Sequence, residues 1–127
     1  MTVRTSPLYF IFLSSLKGDS VSGYNWNGED EDWTANMWRQ LIMPMQEYNV
    51  PWAFAIGNHD SEGDMTGRQI AEFDSLNTLS LTENGPSSVS GSTNYVVSIL
   101  GNDTDDTKFN LWFFDSGTSN CVGLPGT

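Results

Sequence analysis

Two short apolar runs, residues 8–16 and 52–56, flank a segment in which apolar residues recur at helical spacing. A short continuous apolar run is typical of a strand that is buried on both faces. Between the runs, apolar side chains recur at steps of three and four residues, namely Trp33, Met37, Leu41, Ile42, Met45 and Tyr48. The pattern predicts a strand, a helix and a second strand that is parallel to the first and reached by a right-handed crossover.

The helix between these strands is expected over residues 33–48. Asp32 is placed to cap its first turn, and Pro44 can kink or shorten it. A second helix is expected over residues 66–76, with an inward face formed by Ile70, Phe73 and Leu76.

Two further strands are expected at residues 95–100 and 109–114, joined by the acidic turn 101–107. Together with the strand-helix-strand unit, they indicate an α/β fold class. The 127 residues are enough for one domain and leave no room for a second. A hydrophobic content of 38%, with 7 Phe, 5 Trp and 4 Tyr, favours a folded chain over a disordered one.

The charge balance and the cysteine and histidine counts exclude several functional classes. The chain has 5 Lys and Arg against 16 Asp and Glu, a formal net charge of −11, so we expect no nucleic-acid partner. With one cysteine and one histidine, the chain can form neither an internal disulfide nor a Cys/His zinc site. The apolar run 8–16 is too short to span a bilayer, and we interpret it as a buried strand rather than a targeting segment. We expect no membrane partner, and these residues leave the compartment open.

Polar residues follow both strands of the first unit, as Gly18-Asp19 and as Gly57-Asn58-His59-Asp60. Because the carboxyl ends of parallel strands meet at one edge of a sheet, we expect these two loops to lie close together. Carboxylate, amide and imidazole donors suit Mg²⁺, Mn²⁺, Fe or Zn²⁺, and a carboxylate can bridge two ions. From the residues alone a second interpretation stays open, in which Asp19 and Asn58 cap turns and His59 is an ordinary loop residue.

The motifs Gly18-Asp19-Ser-Val-Ser-Gly-Tyr24 and Pro51-Trp-Ala-Phe-Ala-Ile-Gly-Asn-His-Asp60 resemble the calcineurin-like metallophosphoesterase family, and most closely its purple-acid-phosphatase-like branch. The likeness continues through residues 77–86, 92–96 and 111–117. It therefore covers most of the chain between residues 17 and 117, and the Gly-Asn-His-Asp block is its most specific part.

The resemblance implies part of an αββα sandwich with a dinuclear metal site that hydrolyses phosphate esters. Asp19 would bridge the two divalent ions (Mn, Fe or Zn), and Asn58 would coordinate one of them through its amide oxygen. His59 would hydrogen-bond the phosphoryl group and help the leaving oxygen to depart, which makes it the catalytic residue. Asp60 would either orient the imidazole of His59 or be a plain loop carboxylate, and both roles stay open.

The chain also departs from the family pattern. The family's Asp-x-His motif is absent upstream of Gly18, and its later histidine ligands are absent because His59 is the single histidine. In the purple acid phosphatases a tyrosine stands three residues after the motif aspartate, where this chain has Ser22, and Tyr24 follows two residues later. We therefore expect residues 1–127 to be a single partial domain that binds metal weakly at most and that, alone, hydrolyses phosphomonoesters at the background rate. The alternative is a catalytically dead phosphoesterase-like module that binds a protein partner through exposed Trp and Tyr.

Two weaker interpretations concern other acidic residues. Residues 113–119 resemble an aspartic-protease signature through Asp115-Ser116-Gly117, but that fold is almost wholly β and has no place for the helix at 33–48. The acidic groups at 29–32 and 103–106 lack the alternating ligands and the turn glycine of a calcium-binding loop. We interpret these groups as solvated loop charge.

Overall fold

The computed structural model describes residues 2–4, 14–16, 18–100 and 107–117. In these ranges the helices and strands are, in order, β1 (Thr2–Arg4), β2 (Ser14–Leu16), α1 (Trp33–Glu47), β3 (Trp52–Phe54), α2 (Gly67–Ser75), β4 (Tyr95–Leu100) and β5 (Thr107–Phe113). Short 3₁₀ turns lie at Gly23–Asn25 and Asp60–Glu62. This mixture of helix and strand confirms the α/β class. None of the helices within these ranges has the length and apolar character needed to cross a membrane.

The strand-helix-strand prediction is confirmed for β2, α1 and β3. Strands β2 and β3 are parallel, with Ser14 opposite Trp52 and Leu16 opposite Phe54. Strand β3 is shorter than the apolar run 52–56, and residues 8–13 of the first predicted strand lie outside the described residues. The parallel pairing brings the loops that follow β2 and β3 to one edge of the sheet.

The edge of β3 that faces away from β2 is held mostly by side-chain hydroxyl groups. Its first residue, Trp52, bonds through its backbone to residues 79 and 81. Beyond it, the N–H of Phe54 donates to Thr82 Oγ1 at 3.0 Å, and the N–H of Ile56 donates to Thr93 Oγ1 at 2.8 Å. The hydroxyl of Tyr95 donates to the carbonyl of Phe54 at 2.7 Å, and burial raises the pKa of this tyrosine. These bonds fix the carboxyl end of β3.

A second sheet has the order β1-β4-β5. Strand β4 coincides with the predicted strand 95–100 and pairs antiparallel with β5, which begins two residues before the predicted start and ends one residue before the predicted end. Strand β1 pairs parallel with β4 and was not predicted, because three residues are too few to show an alternating pattern.

Strand β3 lies between the helices and the second sheet. One hydrophobic cluster joins residues 52 and 54 of β3, and residue 56 just beyond it, to the helices through Trp38, Ile42 and Ile70. The intervening residues 53 and 55 belong to a second cluster with Tyr95, Val97 and Phe113 of the second sheet. Because successive side chains of a strand point to opposite faces, β3 takes part in both clusters.

A buried carboxylate, that of Asp74 on α2, ties the first cluster together. Asp74 Oδ1 accepts hydrogen bonds from the indole N–H groups of Trp38 at 2.9 Å and Trp52 at 3.0 Å. Asp74 Oδ2 accepts from the hydroxyl of Ser80 at 2.6 Å. All four residues are buried, so the donors in this network satisfy a charge that would otherwise be costly to bury.

The predicted N-cap position of Asp32 on α1 is confirmed, but the side-chain capping bond expected there is absent. Asp32 stands at the N-cap position with a left-handed φ of 62°, and its side chain makes no capping bond. Instead, the N–H of Thr34 donates to the carboxylate of Asp64, thirty residues after Thr34, at 2.8 Å. Pro44 lies inside the helix, which continues to Glu47.

The predicted inward faces are partly wrong. On α1, Ile42 is buried as expected, but Met37 and Tyr48 are exposed, and the fully buried Trp38 was missed. On α2, Ile70 is buried, whereas Leu76, which follows the last residue of the helix, is 78% exposed.

Candidate functional site

The structure brings together the two loops that follow β2 and β3. The N–H of His59 donates to Asp19 Oδ1 at 3.0 Å, although forty residues separate them. Asp19 and His59 are exposed, and Asn58 between them is half-buried. The candidate residues Asp19, Asn58 and His59 therefore lie at one edge of the β2–β3 sheet, open to solvent.

The carboxylate of Asp60 holds these loops together. Asp60 Oδ2 accepts from the N–H groups of Asp19 and Gly57, both at 2.8 Å, and Oδ1 accepts from the N–H of Val21 at 2.7 Å. The residue is fully buried. Burial raises the pKa of the Asp60 carboxyl above its usual range, against the opposing effect of the three N–H donors. Two roles were open for Asp60, one of which was to orient the imidazole of His59. These contacts do not show that role, because the Asp60 carboxylate binds the backbone of both loops.

Glycine is required where the loops touch. A Cβ at Gly57 would overlap the backbone nitrogen and Oδ1 of Asp19, and a Cβ at Gly18 would overlap the Cα of Gly57. Asp19 itself has a φ of 62°, in the left-handed region. The two glycines thus permit a backbone approach that places the Asp19 carboxylate against the amide of His59.

The imidazole of His59 pairs with Glu62. Its Nδ1 lies 2.9 Å from Glu62 Oε2, and the two side chains are 48% and 42% exposed. The hydrogen bond and the charge of Glu62 raise the pKa of His59, and the charges of Asp19 and Asp60 act in the same direction. Glu62 was not among the predicted site residues. Its separation of three residues from His59 matches one turn of a 3₁₀ helix, a spacing too short to be recognised from the sequence alone.

The donor set in the described residues does not fit a two-ion centre. No group of three or more His, Cys, Asp or Glu in the described ranges is arranged to hold a metal ion. Both Asp60 oxygens already accept backbone N–H groups, and one oxygen of Asp19 accepts from His59. Asp19 and Asn58 are the predicted metal ligands that remain. Two ligands are too few, because a divalent ion takes about four to six.

The carboxylate of Asp115, the residue at the centre of the aspartic-protease alternative, accepts hydrogen bonds from nearby backbone N–H groups. Its Oδ2 accepts from the N–H groups of Ser92 at 2.7 Å and Thr93 at 3.2 Å, and its Oδ1 accepts from the N–H of Gly117 at 2.7 Å. The residue is buried. This use of the carboxylate, within a fold that mixes helices and strands, argues against a protease site.

Comparison with curated proteins finds phosphatases. The chain is similar to "Probable inactive purple acid phosphatase 28" of Arabidopsis thaliana, with 30% identity over 125 residues that cover 87% of this chain and 30% of that protein. It is also similar to "Phosphatase DCR2" of Saccharomyces cerevisiae, with 34% identity over 89 residues that cover 66% of this chain and 15% of that protein. The chain thus spans less than a third of either relative.

No protein-family model and no solved structure matches the chain. The similarity to the two phosphatases is weak, but it covers about two thirds of the chain or more in both cases. It supports a phosphoesterase-type family for the chain and suggests a phosphatase-like domain.

Proposed function

We propose that the chain is part of a calcineurin-like metallophosphoesterase domain and that Asp19, Asn58 and His59 form its phosphoryl-binding crevice. The observation that carries the proposal is the convergence of two loops, forty residues apart, on the Asp60 carboxylate. That convergence puts polar side chains outside the carboxyl ends of parallel strands, where ligands bind in open α/β sheets. The names of the two relatives support phosphate esters as the substrate class.

The layering of the fold supports the same family. An αββα sandwich needs a sheet with helices on one face and a second sheet on the other. Strand β3 is packed in this way, with α1 and α2 on one side and β4 and β5 on the other. This arrangement corresponds to three adjacent layers of such a sandwich.

In this proposal each candidate residue has a separate task. His59 donates a hydrogen bond to a phosphoryl oxygen from its exposed ring, and the raised pKa keeps more of that ring protonated near neutral pH. Asp19 and Asn58 are the residues that we assign to metal binding. Since they are two ligands, we expect this chain alone to bind a divalent ion weakly and to hydrolyse phosphomonoesters at the background rate.

The proposal is tested by titrating the full chain with inorganic phosphate in the presence of Mg²⁺ and recording amide chemical shifts. We expect shifts at residues 18–20 and 57–60, and their loss in His59→Ala. The matched control is Glu72→Ala, an exposed position on α2. An absence of shifts in these loops, or equal shifts in His59→Ala, would overturn the proposal. Hydrolysis of p-nitrophenyl phosphate with added Mn²⁺ that is abolished by His59→Ala would overturn the expected lack of activity.

A second candidate is a phosphoesterase-like module without catalysis that binds a protein partner. The side chains of Trp112 and Phe114 favour it, because they are 64% and 76% exposed and stack with their ring centroids 6.2 Å apart. The name of the Arabidopsis relative describes an inactive phosphatase. The phosphate titration separates the two candidates, since a binding module requires no response of the Asp19 and His59 loops to phosphate.

A further inference from the structure

The contact between His59 and Glu62 follows from the backbone of the 3₁₀ turn Asp60–Glu62. His59 is the N-cap of this turn, and Glu62 is its last residue. With three residues per turn, side chains at positions i and i+3 lie one above the other. The turn therefore delivers the Glu62 carboxylate to the imidazole, where Oε2 lies 2.9 Å from Nδ1.

The backbone that carries this pair is anchored on both sides. The carbonyl of His59 accepts from the N–H of Gly23 at 2.9 Å, and its N–H donates to Asp19 at 3.0 Å. The next residue, Asp60, is buried and bound to both loops. With the backbone held in this way, the rotation of the ring is the main freedom left to His59, and the Glu62 contact restricts that rotation.

Three carboxylates lie near this imidazole, and they act differently. Asp60 and Asp19 accept hydrogen bonds from backbone N–H groups, so they influence the ring through charge. Glu62 contacts the ring itself. The orientation of the imidazole therefore depends on Glu62 rather than on the aspartate that follows the histidine in the motif.

We propose that Glu62 is a positioning residue for His59, an inference that rests on the proposed phosphoryl-binding function. By accepting a hydrogen bond from Nδ1–H, Glu62 keeps a proton on Nδ1 and leaves Nε2 as the nitrogen available to a phosphoryl or leaving oxygen. When Nε2–H gives its proton to a leaving oxygen, the ring becomes the neutral Nδ1–H tautomer. That tautomer is the form to which Glu62 is already bonded.

The test is ring-nitrogen spectroscopy of the full ¹⁵N-labelled chain, which has a single histidine and hence one pair of ring nitrogen signals. Two-bond ¹H–¹⁵N correlations distinguish a protonated from an unprotonated ring nitrogen. Above the His59 pKa we expect the Nδ1–H tautomer in the wild type and a shift towards the Nε2–H tautomer in Glu62→Ala. Glu62→Gln, which keeps an acceptor oxygen of similar reach, should retain the Nδ1–H form, and the control Glu72→Ala should not change it.

A wild-type spectrum dominated by the Nε2–H tautomer would overturn the proposal without any variant, so it stays testable even if Glu62→Ala fails to fold. Retention of the Nδ1–H form in Glu62→Ala would also overturn the proposal. Loss of the Nδ1–H form in Glu62→Gln would overturn it as well, because the tautomer would then depend on the charge of Glu62 and not on its hydrogen bond. The spectra are recorded without phosphate. A negative result is therefore distinct from a failure of the phosphate titration, which tests the proposed function.

Discussion

The Asp60 carboxylate accepts a hydrogen bond from the backbone N–H of Val21, thirty-nine residues earlier in the chain, at 2.7 Å. The same carboxylate accepts from Asp19 and Gly57. Asp60, a residue of the Gly-Asn-His-Asp motif, thus stabilises the fold by joining the two loops, and the candidate site depends on that junction. This relationship can be tested separately from any activity.

Asp60→Asn should destabilise the chain by about 1–3 kcal/mol, because the amide replaces one acceptor oxygen by an NH₂ group that faces a backbone donor. Urea unfolding measures the change. Asp32→Asn is the matched control, since Asp32 is exposed, makes no capping bond and has a left-handed φ that asparagine tolerates. Equal stabilities of the two variants would contradict the role assigned to Asp60.

Gly57→Ala should cost about 1–3 kcal/mol and separate the loops, because the new Cβ overlaps Asp19. The amide signal of His59, which donates to Asp19, should move most. Gly28→Ala is an informative comparison, since its Cβ would meet nothing within 4 Å while its φ of 84° still opposes alanine. A larger shift of the His59 amide in Gly28→Ala than in Gly57→Ala would contradict the packing argument.

Asp64→Asn keeps an acceptor oxygen for the N–H of Thr34 but removes a negative charge at the start of α1, and it should cost about 0.3–1 kcal/mol near neutral pH. Although burial alone would raise it, hydrogen bonds from Thr34 hold the pKa of Asp64 below its usual range. A lowered pKa in the folded state gives stability that is present above the unfolded-state pKa of about 3.9 and is lost as the pH falls through the folded-state value. The stability difference between wild type and Asp64→Asn should therefore shrink in acid, and urea midpoints at pH 7 and below pH 3.5 measure it. A difference that grows in acid would show the sign to be wrong.

Asp74→Ala should destabilise the core by about 1–3 kcal/mol, since the buried indole N–H groups of Trp38 and Trp52 would lose the oxygen that accepts from them. The indole N–H signals of Trp38 and Trp52 report the loss directly. Glu72→Gln, on the exposed side of the same helix, is the control and should leave both signals in place. Unchanged indole signals in Asp74→Ala would contradict the hydrogen-bond network.

The periodicity of apolar residues predicted the order of elements well and the buried faces less well. Strand β4 could be located because its apolar run has polar residues on both sides. The inward face of α1 was misjudged because apolar residues lie on more than one side of that helix. The buried side packs against residues far along the chain, such as Asp74, thirty-six residues after Trp38, and no local pattern contains those contacts.

For the candidate site, the motif and the parallel strands were enough to predict that the Asp19 and His59 loops meet. The division of tasks between Asp60 and Glu62 could not be predicted, because both carboxylates follow the same histidine. The 3₁₀ turn decides it by directing Asp60 into the protein and Glu62 towards the imidazole. A turn of three residues gives too short a sequence signal to be recognised in advance.

The hydroxyl groups along β3 have a consequence for how this chain meets other polypeptides. A free strand edge with unbonded amides is a template on which a foreign strand can add. On the side away from β2, Thr82 and Thr93 already accept from the amides of Phe54 and Ile56, and Tyr95 donates to the carbonyl between them. The strand that leads into the crevice is thereby closed to β-strand addition on that side, and a peptide cannot extend the β2–β3 sheet there.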